Sequence, residues 1–467
     1  MRFPIFPTIL LIILVTGKQM TSRAQQPVVH VRPLFSVALK SSLTTVNKAN
    51  DMTVAPNGDL FVLGTTAIPD SLRDFYVTRL SPDGKRIWER TFNSGIGGDD
   101  LAVDGCLDHF GNFWTVGVAK ISEADADIQV VRFSGDGGAF PGDRVGGVAG
   151  LYDAPTCIGA DPTGAIYVGG YITSLDSGLN AVVCRFDLEG KLIWKQTWST
   201  LQMDIFNDLV VDDSCNVYLC GNADVALRSS DLLVTKFDST GRLVWQHRYD
   251  GILGESDAGF QLSLEGDSLL AVSGWVNHAS DRSDIPLIRF TRNGMLLQEK
   301  WYNGNQTDGV ANSLSVRDSF MVMTGDITDY PRGQRYGVLS VWTPSGKDTI
   351  VRTTRPGSTI LNAFPFAGKW LVAGAKNLAE GEGMVQPFIA LADTGNSWAW
   401  QFTDTTVFGL SRVRCVINRG TRIYYLGDDT GEATGTIYVL GYELVPVTET
   451  KKNHVPQGPR KSVPRSH

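Results

Sequence analysis

Past its first two dozen residues the chain has no apolar run long enough to cross a bilayer, and no segment carries a sustained helical stripe. Histidine is scarce. The six residues are scattered, and neither an HExxH zinc pattern nor a GxSxG nucleophile elbow is present. His109, in the turn Asp108-His109-Phe110-Gly111, reads as a solvated loop residue. Cysteine is as rare: Cys106, Cys157, Cys184, Cys215, Cys220 and Cys415 show no CxxC spacing and no accompanying His cluster, which argues against a metal site. They read as small buried hydrophobes, with one or two disulfides as the alternative in an exported protein. Basic charge is also lacking. The formal charge is −7, and three cations without an acid lie in the first 24 residues. The last 20 residues carry five Lys/Arg and one Glu, so the body between is near −14. Phosphate binding needs a basic footprint, so nucleic acid is excluded as a partner.

The chain ends read differently from the body. Arg2, the apolar run Ile9–Val15 and the small-x-small triplet Ser22-Arg23-Ala24 make residues 1–24 a secretory signal. The expected location is therefore outside the cytoplasm: secreted, periplasmic or at the cell surface. Residues 448–467 are Pro-rich and basic without apolar periodicity, and are expected to form a disordered tail able to touch an anionic envelope surface. Between them, residues 25–447 hold most of the 50 glycines and a 10% aromatic content, which favour turns and strands.

An apolar run closed by a glycine recurs eight times: DLFVLG at Gly64, NFWTVG at Gly117, AIYVGG at Gly170, NVYLCG at Gly221, LLAVSG at Gly274, FMVMTG at Gly325, KWLVAG at Gly374 and RIYYLG at Gly427. The steps are 53, 53, 51, 53, 51, 49 and 53 residues, a period that marks a repeat architecture. Each unit reads as four strands. In the second these are Leu101–Val103 (A), Phe113–Gly117 (B), Ile128–Phe133 (C) and a less regular D near Phe140–Val148. Tight-turn pairs precede the clearer D strands IWERTF, IWKQTW and VWQHRY. Four-stranded units of this period predict an all-β, eight-bladed β-propeller, with seven blades as the alternative. LFSVALK (Leu34–Lys40) stands as a D strand with no A, B or C before it, and TIYVLGYELV (Thr436–Val445) as a C strand with no D after it. Joined, they complete the last blade. Trp88, Trp194 and Trp245, each four residues after a turn glycine, are expected to fill the wedge between blades.

Counting back seventeen residues from each marker glycine gives Asn47, Asp100, Asp153, Asp204, Asp257, Asp308, Gly357 and Leu410. Five consecutive aspartates just before strand A would ring one channel mouth, where they can hold a cation, Ca2+ being the one such oxygen ligands suit. No other cofactor is expected. The competing reading has each Asp capping its own D–A turn. Four residues on, the count gives Asp51, Asp104, Cys157, Asp208, Gln261, Asn312, Leu361 and Arg414, a ring polar on one side and mixed on the other. Trp198, Tyr249, Trp301 and Tyr302 follow D strands and serve either blade packing or sugar stacking.

The stretch DFYVTRLSPDGKRIWERTF followed by GGDDLAVDGCLDHFGNFWTVG resembles the SBBP-type bacterial β-propeller repeat, with its D-x-x-V-x-K/R-[FL]-x-x-x-G-x-x-x-W hairpin. The resemblance runs from about Val28 to Val447 and weakens in units six to eight, and Gln298 and Ile350 stand in the Trp place. It implies the fold and export but no chemistry. Asp238-Ser239-Thr240-Gly241 with Trp245, and Asp187, Gly190 and Trp194, also resemble part of the docking pattern of eight-bladed quinoproteins, but Lys236 and Arg185 replace its leading small residue. Ser81-Pro82-Asp83-Gly84 with Trp88 approaches a sialidase Asp box, but its glycine comes one position early, and the stretch reads as a turn and not the box.

These features predict an exported monomer that acts as a non-enzymatic binding or scaffold module toward an unidentified protein or glycan. The alternatives are a glycan-active lyase or hydrolase using channel-mouth residues Asp100, Asp153, Asp204, Asp208, Asp257 and Asp308, and a quinone-binding oxidoreductase.

Overall fold

The computed structural model describes residues 29–446 apart from 40–45, 68–71, 96, 123, 148–149, 225–228, 252–253, 267–268, 280–281, 303–306, 318–319, 330, 344–347, 353–356, 378–383, 394–396, 405–409 and 430–434. The predicted signal and basic tail lie outside the described residues.

Eight four-stranded antiparallel sheets follow one another around a ring. Their innermost A strands are Val46–Val54, Asp100–Leu107, Ala154–Ala160, Asp204–Val211, Asp257–Glu265, Thr307–Arg317, Ser358–Phe366 and Arg412–Arg419. The eighth sheet is completed from the other end of the chain. Val29–Leu39 pairs antiparallel with Thr436–Pro446, from Val29 opposite Pro446 to Leu39 opposite Ile437. The expected closure and the count of eight both hold.

Sequence pattern explains why each strand sits where it does. B strands such as Leu60–Ala67 are buried on both faces, so they read as continuous apolar runs. D strands such as Arg86–Phe92 are largely exposed and keep one buried aromatic, Trp88. The described core is divided into nine apolar clusters, two where blade 2 meets blade 3 and one at each other blade junction. Leu60 and Val62 of blade 1 meet Tyr424 and Val439 of blade 8, and Trp114 and Val130 of blade 2 meet Ile166 and Phe186 of blade 3. The ring therefore has no open end.

The tryptophans lock neighbouring blades. Trp88, Trp194 and Trp245 donate their indole N–H at 3.0 Å to Gly135, Ser239 and Arg292 carbonyls in the next blade's C–D turn. Their rings lie on Gly137, Gly241 and Gly294, where a Cβ would come within about 3 Å of the indole. Blade 2 has no Trp on strand D, and Trp114 on strand B reaches Gly190 instead. At the closure Phe35 does the same work against Gly84, whose φ of +80° only glycine adopts readily.

All six cysteines are unpaired, and Cys157, Cys184 and Cys220 are buried. Trp198, Tyr249, Trp301 and Tyr302 all pack in inter-blade clusters. His109 is exposed, as expected.

Candidate functional site

The A strands surround the axis, and each carries a β-bulge at the same height. Register with strand B slips between Ala49 and Asp51, Ala102 and Asp104, Pro155 and Cys157, and Phe206 and Asp208. It slips again between Gly259 and Gln261, Ala311 and Ser313, Ile360 and Asn362, and Val413 and Cys415. A bulge bends its strand and re-aims the side chains around it. Two layers of inward positions result.

The layer after the bulge is Asp51, Asp104, Cys157, Asp208, Gln261, Ser313, Asn362 and Cys415. This corrects the sequence count in the last three blades, where Asn312, Leu361 and Arg414 belong to the bulge layer. The cause is the A–B turn. Blades 1 to 4 use a five-residue turn, closed for example by Ala55 N–H to Asp59 O at 2.8 Å. In blade 6 Arg317 pairs with Phe320, in blade 7 Phe366 with Lys369 and in blade 8 Arg419 with Arg422, leaving only two residues between. Asp308 is displaced in the same way: Gly309, not Asp308, holds the place that Asp100 and Asp257 hold.

Both layers bind blade to blade. In the bulge layer, Asn50, Asn207 and Asn312 donate amide N–H groups to Ala102, Gly259 and Ile360 carbonyls of the next A strand at 2.8, 2.9 and 3.0 Å. In the layer beyond, Asp104 accepts Gly105 N–H at 2.8 Å and Ile158 N–H of the next blade at 3.0 Å. Asp208 accepts Leu209 N–H at 2.9 Å and Leu262 N–H at 2.8 Å, and Asn362 donates to Val416 O at 2.8 Å. The inner edge of each A strand has no strand partner, so these side chains satisfy backbone groups that would otherwise be lost.

Burial dominates the electrostatics of this layer. It pushes the Asp208 carboxyl up to about 7 and Asp104 up to about 6, against the backbone N–H bonds that pull both down. Asp51 is pushed well above the usual carboxylate range, first by burial and then by the adjacent Asp104. Burial likewise raises the Cys157 and Cys415 thiols, which leaves both as poor nucleophiles.

The aspartates predicted to ring the mouth are engaged by backbone. Asp100 accepts Ser94 N–H at 2.6 Å, Asp153 accepts Thr173 N–H at 2.6 Å, and Asp257 accepts Gly251 and Asn277 N–H at 2.6 and 2.9 Å. Asp204 accepts Thr200 N–H and hydroxyl at 2.6 and 2.8 Å, and Asp308 accepts Ser283 N–H at 2.8 Å. The Ser94, Thr200 and Gly251 bonds cap the D–A turns, Thr173 and Asn277 donate from strand B of the same blade, and Ser283 donates from the start of the preceding blade's C strand. Among the described residues no group of three or more His, Cys, Asp or Glu is arranged to hold a metal ion.

One feature of the wall escaped the sequence count. Where blade 8 meets blade 1, Asp428 is fully buried and accepts Ala49 N–H at 3.0 Å across the junction. Arg412 clamps it through Nε at 2.7 Å and a terminal N–H at 3.2 Å. Arg414 Nε stands 3.6 Å away, and Lys48 lies in the same field. At the opposite mouth, the A–B turns of blades 1 to 3 frame a recess of about 390 Å³ lined by Val54, Cys106, Asp108, His109 and Asp161. Both of its carboxylates are occupied: Asp108 by Phe110 and Asn112 N–H groups, and Asp161 by Thr163, Ala165 and Arg185.

No family model matches the chain, and no curated protein matches its sequence. Among solved structures it is similar to the β-propeller domain of the Trilobed protease from Pyrococcus furiosus, with 10% identity, a TM-score of 0.45, and coverage of 77% of this chain and 97% of that one. It is similar to a puromycin hydrolase at 14% identity and TM-score 0.42, covering 73% of this chain and 52% of that one. Extracellular domains 1–2 of Drosophila semaphorin 1b give 10% identity and TM-score 0.42 over 88% and 86% of the two chains. With TM-scores below 0.5 these likenesses add nothing to what the sheet topology shows.

Proposed function

We propose that this propeller is an exported, SBBP-type repeat protein that works as a non-enzymatic binding or scaffold module, taking its ligand over the channel mouth. The observation that carries this reading is the state of the inner layer. Its carboxylates accept backbone N–H groups of their own and neighbouring blades, and its thiols are held protonated. A general base or nucleophile must be free to meet substrate, whereas these groups complete the ring. A channel mouth with a few convergent polar groups suits recognition.

The test is a glycan array run beside turnover assays on the same glycans. Retention without product is the expected result. Product formation that disappears in Asp208→Asn or Asp204→Asn would instead make the protein a glycan-active enzyme.

A further inference from the structure

Asp428 needs one cation, and it has three. Arg412 alone neutralises it with two hydrogen bonds. Arg414 Nε is buried without a hydrogen bond of normal length and meets Asp428 only as an ion pair at 3.6 Å. Lys48 is exposed at the start of the neighbouring A strand and forms no ion pair among the described residues. Asp429, the next carboxylate along, bonds the Ser411 hydroxyl at 3.3 Å. Three cations therefore face the one carboxylate of Asp428 on the rim of an otherwise acidic body. Burial and then Arg414 and Arg412 pull the Lys48 amine down, and burial and then Arg412 pull the Arg414 guanidinium down.

Arg412 and Arg414, two residues apart on one short strand, share the single carboxylate of Asp428, so their charges are balanced only in part. Register gives the rest of the rim. At the height of Lys48 and Arg412 the other blades place Leu101, Ala154, Ile205, Ala258, Val310 and Thr359, five of them apolar. Leu101, in the blade next to Lys48, is half-buried in an apolar cluster with Val103, Tyr152 and Tyr171.

We propose that Lys48, Arg412 and Arg414 form the head-group site for a small organic carboxylate, whose apolar body lies along the rim on Leu101 and Val103. The planar Arg fork matches a carboxylate in two-point contact, which a lone ammonium would not. The apolar neighbours select against a bare inorganic anion, because only an anion with a hydrocarbon body removes their surface from water.

The proposal rests on the reading of the channel mouth as a ligand site. Calorimetric titration of the full mature chain compares octanoate, acetate and inorganic phosphate. Saturable octanoate binding is expected, at least tenfold tighter than acetate or phosphate. Arg414→Gln and Lys48→Gln, which leave the Arg412–Asp428 clamp intact, should each weaken octanoate at least tenfold without lowering the Tm of the ligand-free protein. Octanoate that fails to bind, or that binds both variants as it binds the parent, overturns the site. Phosphate binding as tightly as octanoate overturns the assigned class. A glycan-array hit that survives both substitutions would keep the channel mouth as a ligand site elsewhere on the rim and remove only this one.

Discussion

Asp208 shows what a single buried carboxyl contributes to this ring. It accepts Leu209 N–H of its own strand and Leu262 N–H of blade 5, which knits blade 4 to blade 5, while burial raises its pKa to about 7. In the unfolded chain the same group titrates near 4. Between those values the native state keeps a proton that the unfolded state releases, so unfolding becomes easier as pH rises. Below about pH 4 both states are protonated and the effect vanishes; above about pH 7 both are ionised and the loss is complete. Asp104, pushed to about 6, adds to the same trend. Urea denaturation of the parent is therefore expected to give a higher midpoint at pH 5 than at pH 8. Asp208→Asn, which cannot ionise, should narrow that difference; an equal difference in both proteins would mean that Asp208 ionises freely in the native state.

At the scale of the element, the A–B turn sets what can be read from the chain and what cannot. In blades 1 to 3 its fourth residue is Gly58, Gly111 or Gly164, with φ near +85°. In blade 4 Cys215 holds this place at φ +60°, a conformation that costs a side-chain-bearing residue roughly 1 kcal/mol. Cys215→Gly should therefore raise stability by about 0.5 kcal/mol after glycine's own entropy cost. Gly111→Ala should lower it by about 1 kcal/mol from backbone strain alone, because a Cβ there meets nothing within 4 Å. Thermal melts of the two variants check both signs. The marker glycines and the D-strand tryptophans announce blades because every unit repeats their packing, so eight sheets and their closure were legible. The height of a residue on strand A was not. It depends on a bulge that leaves no compositional trace and on a turn that shortens from five residues to two, which is how Asn312, Leu361 and Arg414 came to be counted one layer out. The meeting of Lys48 with Arg412 and Arg414 was invisible for a third reason: Lys48 lies over 360 residues from both in sequence and meets them only where the ends of the chain join.

For the whole molecule everything depends on that join. Val29–Leu39 supplies the outer strand of the eighth blade, and Phe35 seats on Gly84 of blade 1 and Gly441 of its own blade, where added Cβ atoms would lie 2.5 and 2.4 Å from its ring. Without this strand, Thr436–Pro446 becomes a free edge, and free edges pair with other chains. Deleting Val29–Leu39 is therefore expected to lower Tm and to produce concentration-dependent oligomers by light scattering. A synthetic peptide of sequence VHVRPLFSVAL added in trans should restore both the Tm and the light-scattering size of the parent, since the eighth blade already presents its complete docking edge. The same peptide carrying alanine in place of Phe35 should fail or bind far more weakly, because it leaves the cleft over Gly84 and Gly441 empty at a cost of about 3 kcal/mol. Equal rescue by both peptides would show that backbone pairing alone shuts the ring. An unchanged Tm after the deletion would show that seven blades and a three-stranded eighth suffice.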